Sequence, residues 1–244
     1  YLRLYPPRDV IEVTPGPVFD VNGWDLKKAL LLLAKGNATV VEWLSSPIIY
    51  RAETGFLAEM HNAAASVHRP ERSFHHYVHM ARGNYREYLQ GEVVRARKYL
   101  YVLRPVLAAL WVIARKDAPP MAFETLVDEM VTDPVVKADI AELLVMKRAA
   151  GEQEYLPRRP VLNQFLEETF ARLQEVALPA PGQIDVQVLE FVFLAFVKVS
   201  QFLHDNQPER VDHPLSEAEL ETLKLYCAGK ITSTEAKAEL HCDR

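Results

Sequence analysis

The spacing of apolar residues divides the chain into a short β region and a long helical region. Residues 1–22 contain the alternating runs YLRLY and DVIEV, which are rich in β-branched and aromatic residues. A third run, PVFDV, follows the turn signal Pro15-Gly16-Pro17. From Trp24 onward the apolar residues recur at helical spacing. We therefore predict an α+β fold that is predominantly α, with its strands confined to residues 1–22.

Prolines and glycines interrupt the helical spacing and set the predicted boundaries. Gly36-Asn37 ends a first helix at 24–35, and Pro47 ends a second at 38–46. Two capping boxes near the C-terminus, Ser216 with Glu219 and Thr232 with Glu235, predict a helical hairpin there. The remaining predicted helices cover 52–66, 71–90, 92–116, 122–131, 135–149, 161–177, 184–205, 216–228 and 233–241.

Composition narrows the functional classes. With a net charge of −5 the protein does not bind polyanions through its overall charge. Any nucleic-acid contact must therefore come from a local basic patch. Only 9 glycines against 16 prolines argue against a glycine-rich phosphate loop. Cys227 and Cys242 form no disulfide framework, which favours a reducing, cytoplasmic location. No apolar run is long enough to cross a bilayer, so we expect no membrane partner.

The junction FDVNGWDLKKAL places two acids where the last strand meets the first helix. Asp25 suits the helix dipole and can cap the helix. Asp20 serves local turn chemistry or, alternatively, is a hard oxygen ligand for Mg²⁺. Lys27 and Lys28 lie in the first helical turn, where cations are unfavourable, which indicates a phosphate or carboxylate partner. Both tryptophans nearby, at positions 24 and 43, are interpreted as core residues.

A basic stripe follows one face of the helix predicted at 92–116. Arg97, Lys98, Tyr101 and Arg104 fall within an arc of about 120°. Cations beside an aromatic ring suit a triphosphate and a base. The alternatives are a solvated basic face, or arginines paired to acids elsewhere. Pro105 is predicted to kink this helix.

The stripe lies in the only segment with a strong positive balance. Residues 69–104 contain eight Lys or Arg against three acids, with five tyrosines interleaved. This segment is the one plausible anion or RNA surface, unless the tyrosines are core residues that the charges merely flank. His75, His76 and His79 lie within it at helical spacing. They are interpreted as hydrogen-bonding residues of a helix interface, with a transition-metal site as the less favoured alternative.

Three segments resemble a known family in order and spacing: NGWDLKKALLLLAKGNATVVEWLSSPIIYR, HHYVHMARGNYREYL and RKYLYVLRPVLAALW. Over most of residues 1–205 the chain resembles predicted nucleotidyltransferases of the DNA polymerase β superfamily that are associated with RNA repair. The resemblance implies that residues 1–36 are the C-terminal part of a nucleotidyltransferase α/β domain. Residues 37–205 would be a helical domain, and residues 206–244 a linker and helical hairpin tail.

The resemblance also implies an activity, namely transfer of a nucleoside monophosphate from a nucleoside triphosphate to an acceptor hydroxyl with Mg²⁺ or Mn²⁺. Asp20 would be a catalytic carboxylate and metal ligand, with Glu12 a weaker candidate. Arg97, Lys98, Tyr101 and Arg104 would hold the nucleotide. RNA or DNA ends and an RNA-repair ligase are the implied partners, and His76, Tyr77 or Asn84 would face the substrate.

The chain departs from the superfamily pattern at its carboxylates. It contains neither a Gly-Ser dipeptide nor an Asp-x-Asp element, which in that superfamily supply two of the three metal ligands. We expect both elements to lie upstream of Tyr1 in a chain that is truncated at its N-terminus. The alternative is a non-catalytic helical module that binds nucleotide or RNA.

Overall fold

The structure is a computed structural model that describes residues 8–16, 19–52, 54–149, 155–180 and 182–205, together with Ala218. The prediction of an α+β, predominantly α fold is confirmed. The YLRLY strand and, apart from Ala218, the predicted helices at 216–228 and 233–241 lie outside the described residues. In chain order the elements are β1 (Val10–Gly16), β2 (Phe19–Trp24), α1 (Leu26–Ala34), α2 (Ala38–Leu44), α3 (Thr54–Val67), α4 (Pro70–Tyr88), β3 (Val93–Arg95), α5 (Ala96–Arg115), α6 (Phe123–Met130), α7 (Pro134–Ala149), β4 (Tyr155–Pro157), α8 (Pro160–Gln174) and α9 (Gln187–Asp205).

The contacts group into two compact units. The first comprises the described residues up to Lys35, Ile48–Val67 and those from Ile184 onward. The second comprises Gly36–Pro47 and His68–Gln183. The domain boundaries predicted after residues 36 and 205 stay a prediction. None of the helices in the described part of the chain combines the length and apolarity that a bilayer crossing requires.

The first unit joins an antiparallel β1–β2 hairpin to three helices. In the hairpin, Glu12 pairs with Asn22 and Val10 with Trp24. Helices α1, α3 and α9 pack together, and the rings of Phe56 and Phe196 meet edge to face at 4.8 Å. The buried side chains of this unit are Leu30, Leu33, Met60, Ala63, Ala64, Val67, Leu189, Val192 and Ala195.

Local sequence signals at both ends of α1 are confirmed. The Asp25 carboxylate accepts the Lys27 backbone N–H at 2.9 Å and caps the helix. Lys28 has a carboxylate partner, because its Nζ lies 3.1 Å from an Asp9 oxygen. The helix ends at Ala34, and Gly36 just beyond it has a φ of 71°, the left-handed conformation that glycine adopts without steric cost. Asn37 then caps α2 by accepting from two backbone N–H groups.

Helix α5 forms the centre of the second unit. Its side chains Tyr99, Leu103 and Leu107 are buried, and it packs against α4, α6, α7 and α8. The apolar stripe of α5 therefore meets four neighbouring helices, which explains its long run of small and aliphatic residues. The helix continues through Pro105, and the predicted kink stays a prediction.

Two sequence predictions about strands and core are wrong. The segment predicted as one helix at 92–116 begins as β3, which pairs antiparallel with β4, so strands are not confined to residues 1–22. Neighbouring valines at 93 and 94 favour a strand, but their pairing partners, Pro157 and Leu156, are distant in sequence, where local periodicity cannot detect them. Trp43 is not a core residue, because 47% of its surface is exposed. Trp24 is half-buried.

Candidate functional site

Helices α4 and α5 bring a lysine against two tyrosine rings. The Lys98 ammonium lies 3.4 Å from the ring centroid of Tyr88 and 4.5 Å from that of Tyr101. The two rings meet edge to face, with centroids 6.5 Å apart and planes at 79°. Because Tyr88 ends α4 while the other two residues lie on α5, only the packing of the two helices creates this arrangement.

Arg97 joins the same group through a hydrogen bond. Its Nη2 donates to the Tyr101 hydroxyl at 2.8 Å, and its Cζ lies 5.5 Å from the Tyr101 ring centroid. Tyr101 remains 42% exposed. The structure therefore brings together three of the four residues of the predicted basic stripe. We call Tyr88, Arg97, Lys98 and Tyr101 the Lys98 cluster.

Arg104, the fourth residue of the stripe, has an acid partner away from the cluster. Its Nη1 donates to the Met121 carbonyl oxygen at 2.8 Å, and its Nη2 lies 3.4 Å from a Glu42 oxygen. The same Glu42 oxygen accepts the Tyr77 hydroxyl at 2.9 Å. Burial, reinforced by the Glu42 charge, raises the pKa of Tyr77, so the hydroxyl stays protonated and keeps donating. Arg104 thus links α5 to α2 and to the loop before α6.

Asn84 stabilises the backbone beneath the cluster. Its Nδ2 donates to the Tyr101 carbonyl oxygen at 2.9 Å. In a regular helix that oxygen would accept from residue 105, but Pro105 has no N–H. The Asn84 amide replaces the missing helical donor and ties α4 to α5 at the position of Tyr101.

His76 is half-buried on α4 and His75 and His79 are exposed, so the predicted hydrogen bonding of these histidines at a helix interface stays a prediction. The His76 ring meets the Tyr77 ring edge to face at 5.5 Å. Burial lowers the pKa of His76, although the Glu42 charge opposes that shift. Among the side chains that the structure describes, no three His, Cys, Asp or Glu residues lie close enough together to hold a metal ion. The described residues therefore give no support to the histidine metal site.

The tyrosines of residues 69–104 divide between core and surface. Tyr77 and Tyr99 are buried, as the alternative reading of this segment expected. Tyr85 and Tyr88 are half-buried, and Tyr101 is exposed. Among these five tyrosines, Tyr101 beside Lys98 is therefore the one that is exposed.

Asp20 lies on β2, but its side chain is outside the described ones. The register pairs Glu12 directly with Asn22, and Asp20 is two positions from Asn22 on the same strand. Directly paired positions share a face of a sheet, as do alternate positions of a strand. Glu12 and Asn22, which are both exposed, therefore lie on one face of the hairpin, and the register shifts between Val13 and Gly16.

Comparison with known proteins identifies the chain's relatives. The family model RlaP, described as the RNA repair pathway DNA polymerase beta family, matches residues 1–194. This chain belongs to the RlaP family. The resemblance inferred from the three sequence segments is thereby confirmed. The RlaP match includes every predicted site residue and ends before the predicted hairpin tail.

The chain is also similar to a curated bacterial protein. The Bacillus subtilis (strain 168) protein called "Uncharacterized protein YcgL" is 39% identical over 177 residues, which cover 72% of this chain and 68% of that protein. No solved structure matches this RlaP chain.

The RlaP chain also contains an arginine–tyrosine pair that sequence reasoning missed. The Arg95 Nε donates to the Tyr155 hydroxyl at 2.9 Å, and 56% of the Tyr155 surface is exposed. The two residues are directly opposite each other in the β3–β4 ladder. The short run Tyr155-Leu156-Pro157 was the available signal, but it does not reveal its strand partner.

Proposed function

We propose that this chain is a nucleotidyltransferase that transfers a nucleoside monophosphate from a nucleoside triphosphate to an acceptor hydroxyl at an RNA end. Membership of the RNA repair pathway DNA polymerase beta family supports the reaction class and the RNA acceptor. The observation that carries the proposal is the position of the Lys98 ammonium between the rings of Tyr88 and Tyr101. A cation and aromatic rings in one place are the groups that phosphate and base require.

The Lys98 cluster supplies the nucleotide contacts. Lys98 and Arg97 would neutralise phosphate oxygens, while the exposed Tyr101 ring would contact the base. Arg104 is held by Glu42 and Met121, so we assign it the task of positioning α5.

The β1–β2 hairpin supplies the residues for Mg²⁺ or Mn²⁺. Mg²⁺ takes oxygen ligands, usually one or two carboxylates together with water and substrate phosphates. Glu12 and Asn22, which are direct partners in the hairpin, carry oxygens of this kind. Asp20 and Glu12 would hold the ion, with the Asn22 amide beside them. Charge neutralisation at the attacking oxygen and at the leaving pyrophosphate is the chemistry that the bound ion supplies.

A second candidate is a non-catalytic module that binds nucleotide or RNA through the same cluster. The lack of an Asp-x-Asp element in these 244 residues favours it. Binding would need Lys98, Arg97 and Tyr101 but not Asp20. The two candidates therefore differ in their dependence on one carboxylate.

Incubation of the protein with RNA, Mg²⁺ or Mn²⁺ and each labelled nucleoside triphosphate tests the proposal. Label on the RNA is the expected result. Asp20→Asn should abolish transfer and keep nucleotide binding. Lys98→Ala should raise the apparent KM by roughly tenfold to a hundredfold, because a charge-assisted hydrogen bond contributes about 1.5–3 kcal/mol.

Arg115→Ala is the matched control. Arg115 also lies beside an aromatic ring, with Cζ 5.6 Å from the Trp111 ring, but it is paired with Glu129 at 2.7 Å. Its removal should leave KM unchanged. Nucleotide binding without label transfer would select the non-catalytic module, and full activity of Asp20→Asn would remove Asp20 from the site.

A further inference from the structure

Two arginine–tyrosine pairs with the same geometry stand close together in the second unit. In each pair a guanidinium nitrogen donates to the phenol hydroxyl, at 2.9 Å for Arg95–Tyr155 and 2.8 Å for Arg97–Tyr101. The Cζ-to-centroid distances are likewise similar, at 5.3 and 5.5 Å. One pair joins two strands and the other joins two turns of a helix, so shared local structure does not explain the likeness.

The β3–β4 ladder turns the Arg95–Tyr155 pair toward solvent. Val94 and Leu156 pair with each other at the middle of the ladder and are buried. Because successive strand residues point to opposite faces, Arg95 and Tyr155 take the outer face. Arg95 is also the residue at which α5 begins. Arg97 follows two positions later, so the backbones of the two arginines lie within about 7 Å.

These pairs have the chemistry of a single-strand platform. The guanidinium of each pair contacts the tyrosine hydroxyl, and 56% of the Tyr155 surface and 42% of the Tyr101 surface remain exposed. Exposed rings stack on unpaired bases regardless of sequence, and adjacent cations follow the phosphate backbone. The segment from Arg86 to Lys98 has four cations against two acids, Glu87 and Glu92, and the charge is therefore complementary to RNA. A duplex keeps its bases stacked internally and fits exposed rings less well.

We propose that the Arg95–Tyr155 pair binds single-stranded RNA, namely the strand that carries the acceptor hydroxyl, beside the nucleotide contacts of Arg97 and Tyr101. The assignment of that strand as acceptor rests on the proposed nucleotidyl transfer. The binding itself does not, because Arg95 and Tyr155 are separate from the Lys98 contact to the nucleotide.

Fluorescence anisotropy with a labelled single-stranded RNA of about 12 nucleotides tests the proposal on the full chain. Tyr155→Ala and Arg95→Ala should each weaken binding at least fivefold, and Tyr155→Phe should retain most of the affinity because it keeps the ring. In a salt titration, Arg95→Ala should lower the slope of log K against log[salt] by about 0.7, whereas Tyr155→Ala should leave that slope unchanged. If Arg95 and Tyr155 had only a structural role, the two substitutions would not differ in their effect on the salt slope.

The control is again Arg115→Ala, which removes a cation from the same helix about 27 Å from Arg97. It should leave RNA affinity unchanged. Binding of labelled triphosphate is measured on the same samples and should not respond to Arg95→Ala or Tyr155→Ala. An unchanged triphosphate affinity in these two variants would show that the RNA site is separate from the nucleotide site. Loss of label transfer with intact RNA binding would contradict only the proposed reaction.

Three outcomes would overturn the RNA site. The first is wild-type RNA affinity in both Arg95→Ala and Tyr155→Ala, with folding verified by circular dichroism. The second is an equal loss of RNA affinity in Arg115→Ala, which would show that binding depends on the overall charge and not on this site. The third is equally effective competition by polyglutamate, which would indicate a surface for acidic proteins.

Discussion

Asn84 on α4 compensates for Pro105 on α5. The proline removes the N–H that would normally bond to the Tyr101 carbonyl oxygen, and the Asn84 amide donates to that oxygen at 2.9 Å instead. A proline inside a helix interrupts its hydrogen-bond ladder, and here the neighbouring helix repairs the interruption. The Asn84 hydrogen bond is made to Tyr101, whose ring belongs to the Lys98 cluster. The contact between α4 and α5 therefore also holds the backbone of a site residue.

A double-mutant cycle measures this compensation. Asn84→Ala should destabilise the protein by about 1 kcal/mol, the usual net contribution of one hydrogen bond. In a Pro105→Ala background residue 105 regains its N–H, so Asn84→Ala should cost less. We expect a coupling energy of roughly 0.5–1 kcal/mol in chemical denaturation. Additive effects of the two substitutions would show that the Asn84 amide and the proline act independently.

Substitution of Lys98 should affect nucleotide binding, and substitution of Arg104 should affect stability, although both residues lie on the same predicted stripe. Lys98→Ala should lower nucleotide affinity with little change in the free energy of unfolding, because its ring contacts are worth about 0.5–1 kcal/mol at an exposed site. Arg104→Ala removes the charged partner of the half-buried Glu42 and should destabilise the protein by about 1–3 kcal/mol.

Thermal denaturation and nucleotide titration on the same two variants provide the measurement. Arg104→Lys is a useful companion, because it keeps the charge but loses the fork that reaches both Met121 and Glu42. A fully stable Arg104→Ala variant with impaired nucleotide binding would reverse the roles assigned to these residues.

His76 should make the protein less stable in mild acid. Burial lowers its pKa in the folded state below the ordinary value of about 6.5 that applies in the unfolded state. Below pH 6.5 the unfolded state therefore binds more protons, so the His76 contribution is fully present above that pH. It is lost as the pH falls through the folded pKa.

The free energy of unfolding, measured from pH 7.5 down to pH 5 for wild type and His76→Gln, tests this linkage. The variant should show the shallower dependence on pH, because one titrating group with a shifted pKa is gone. The same substitution at the exposed neighbour His75 controls for the loss of a histidine. An equal flattening at both positions would contradict burial as the cause.

Local sequence signals predicted most of the helices to within a few residues. The Asp25 cap, the glycine that ends α1 and the prolines that begin α4 and α8 all act on their own segment of chain. The convergence of Arg97, Lys98 and Tyr101 was equally predictable, because residues three and four apart share a helix face. These features depend on short-range geometry, which a single sequence contains.

The partners of those residues were decided by tertiary structure. Tyr88 reaches Lys98 through helix packing, Glu42 reaches Arg104 from a different helix, and Tyr155 meets Arg95 through a strand pair that no periodicity revealed. The sequence by itself determined the predominantly helical fold, the family and the basic stripe. Which cation of that stripe meets an acid and which meets an aromatic ring depended on segments up to 62 residues apart coming into contact, and only the packing of elements sets such contacts.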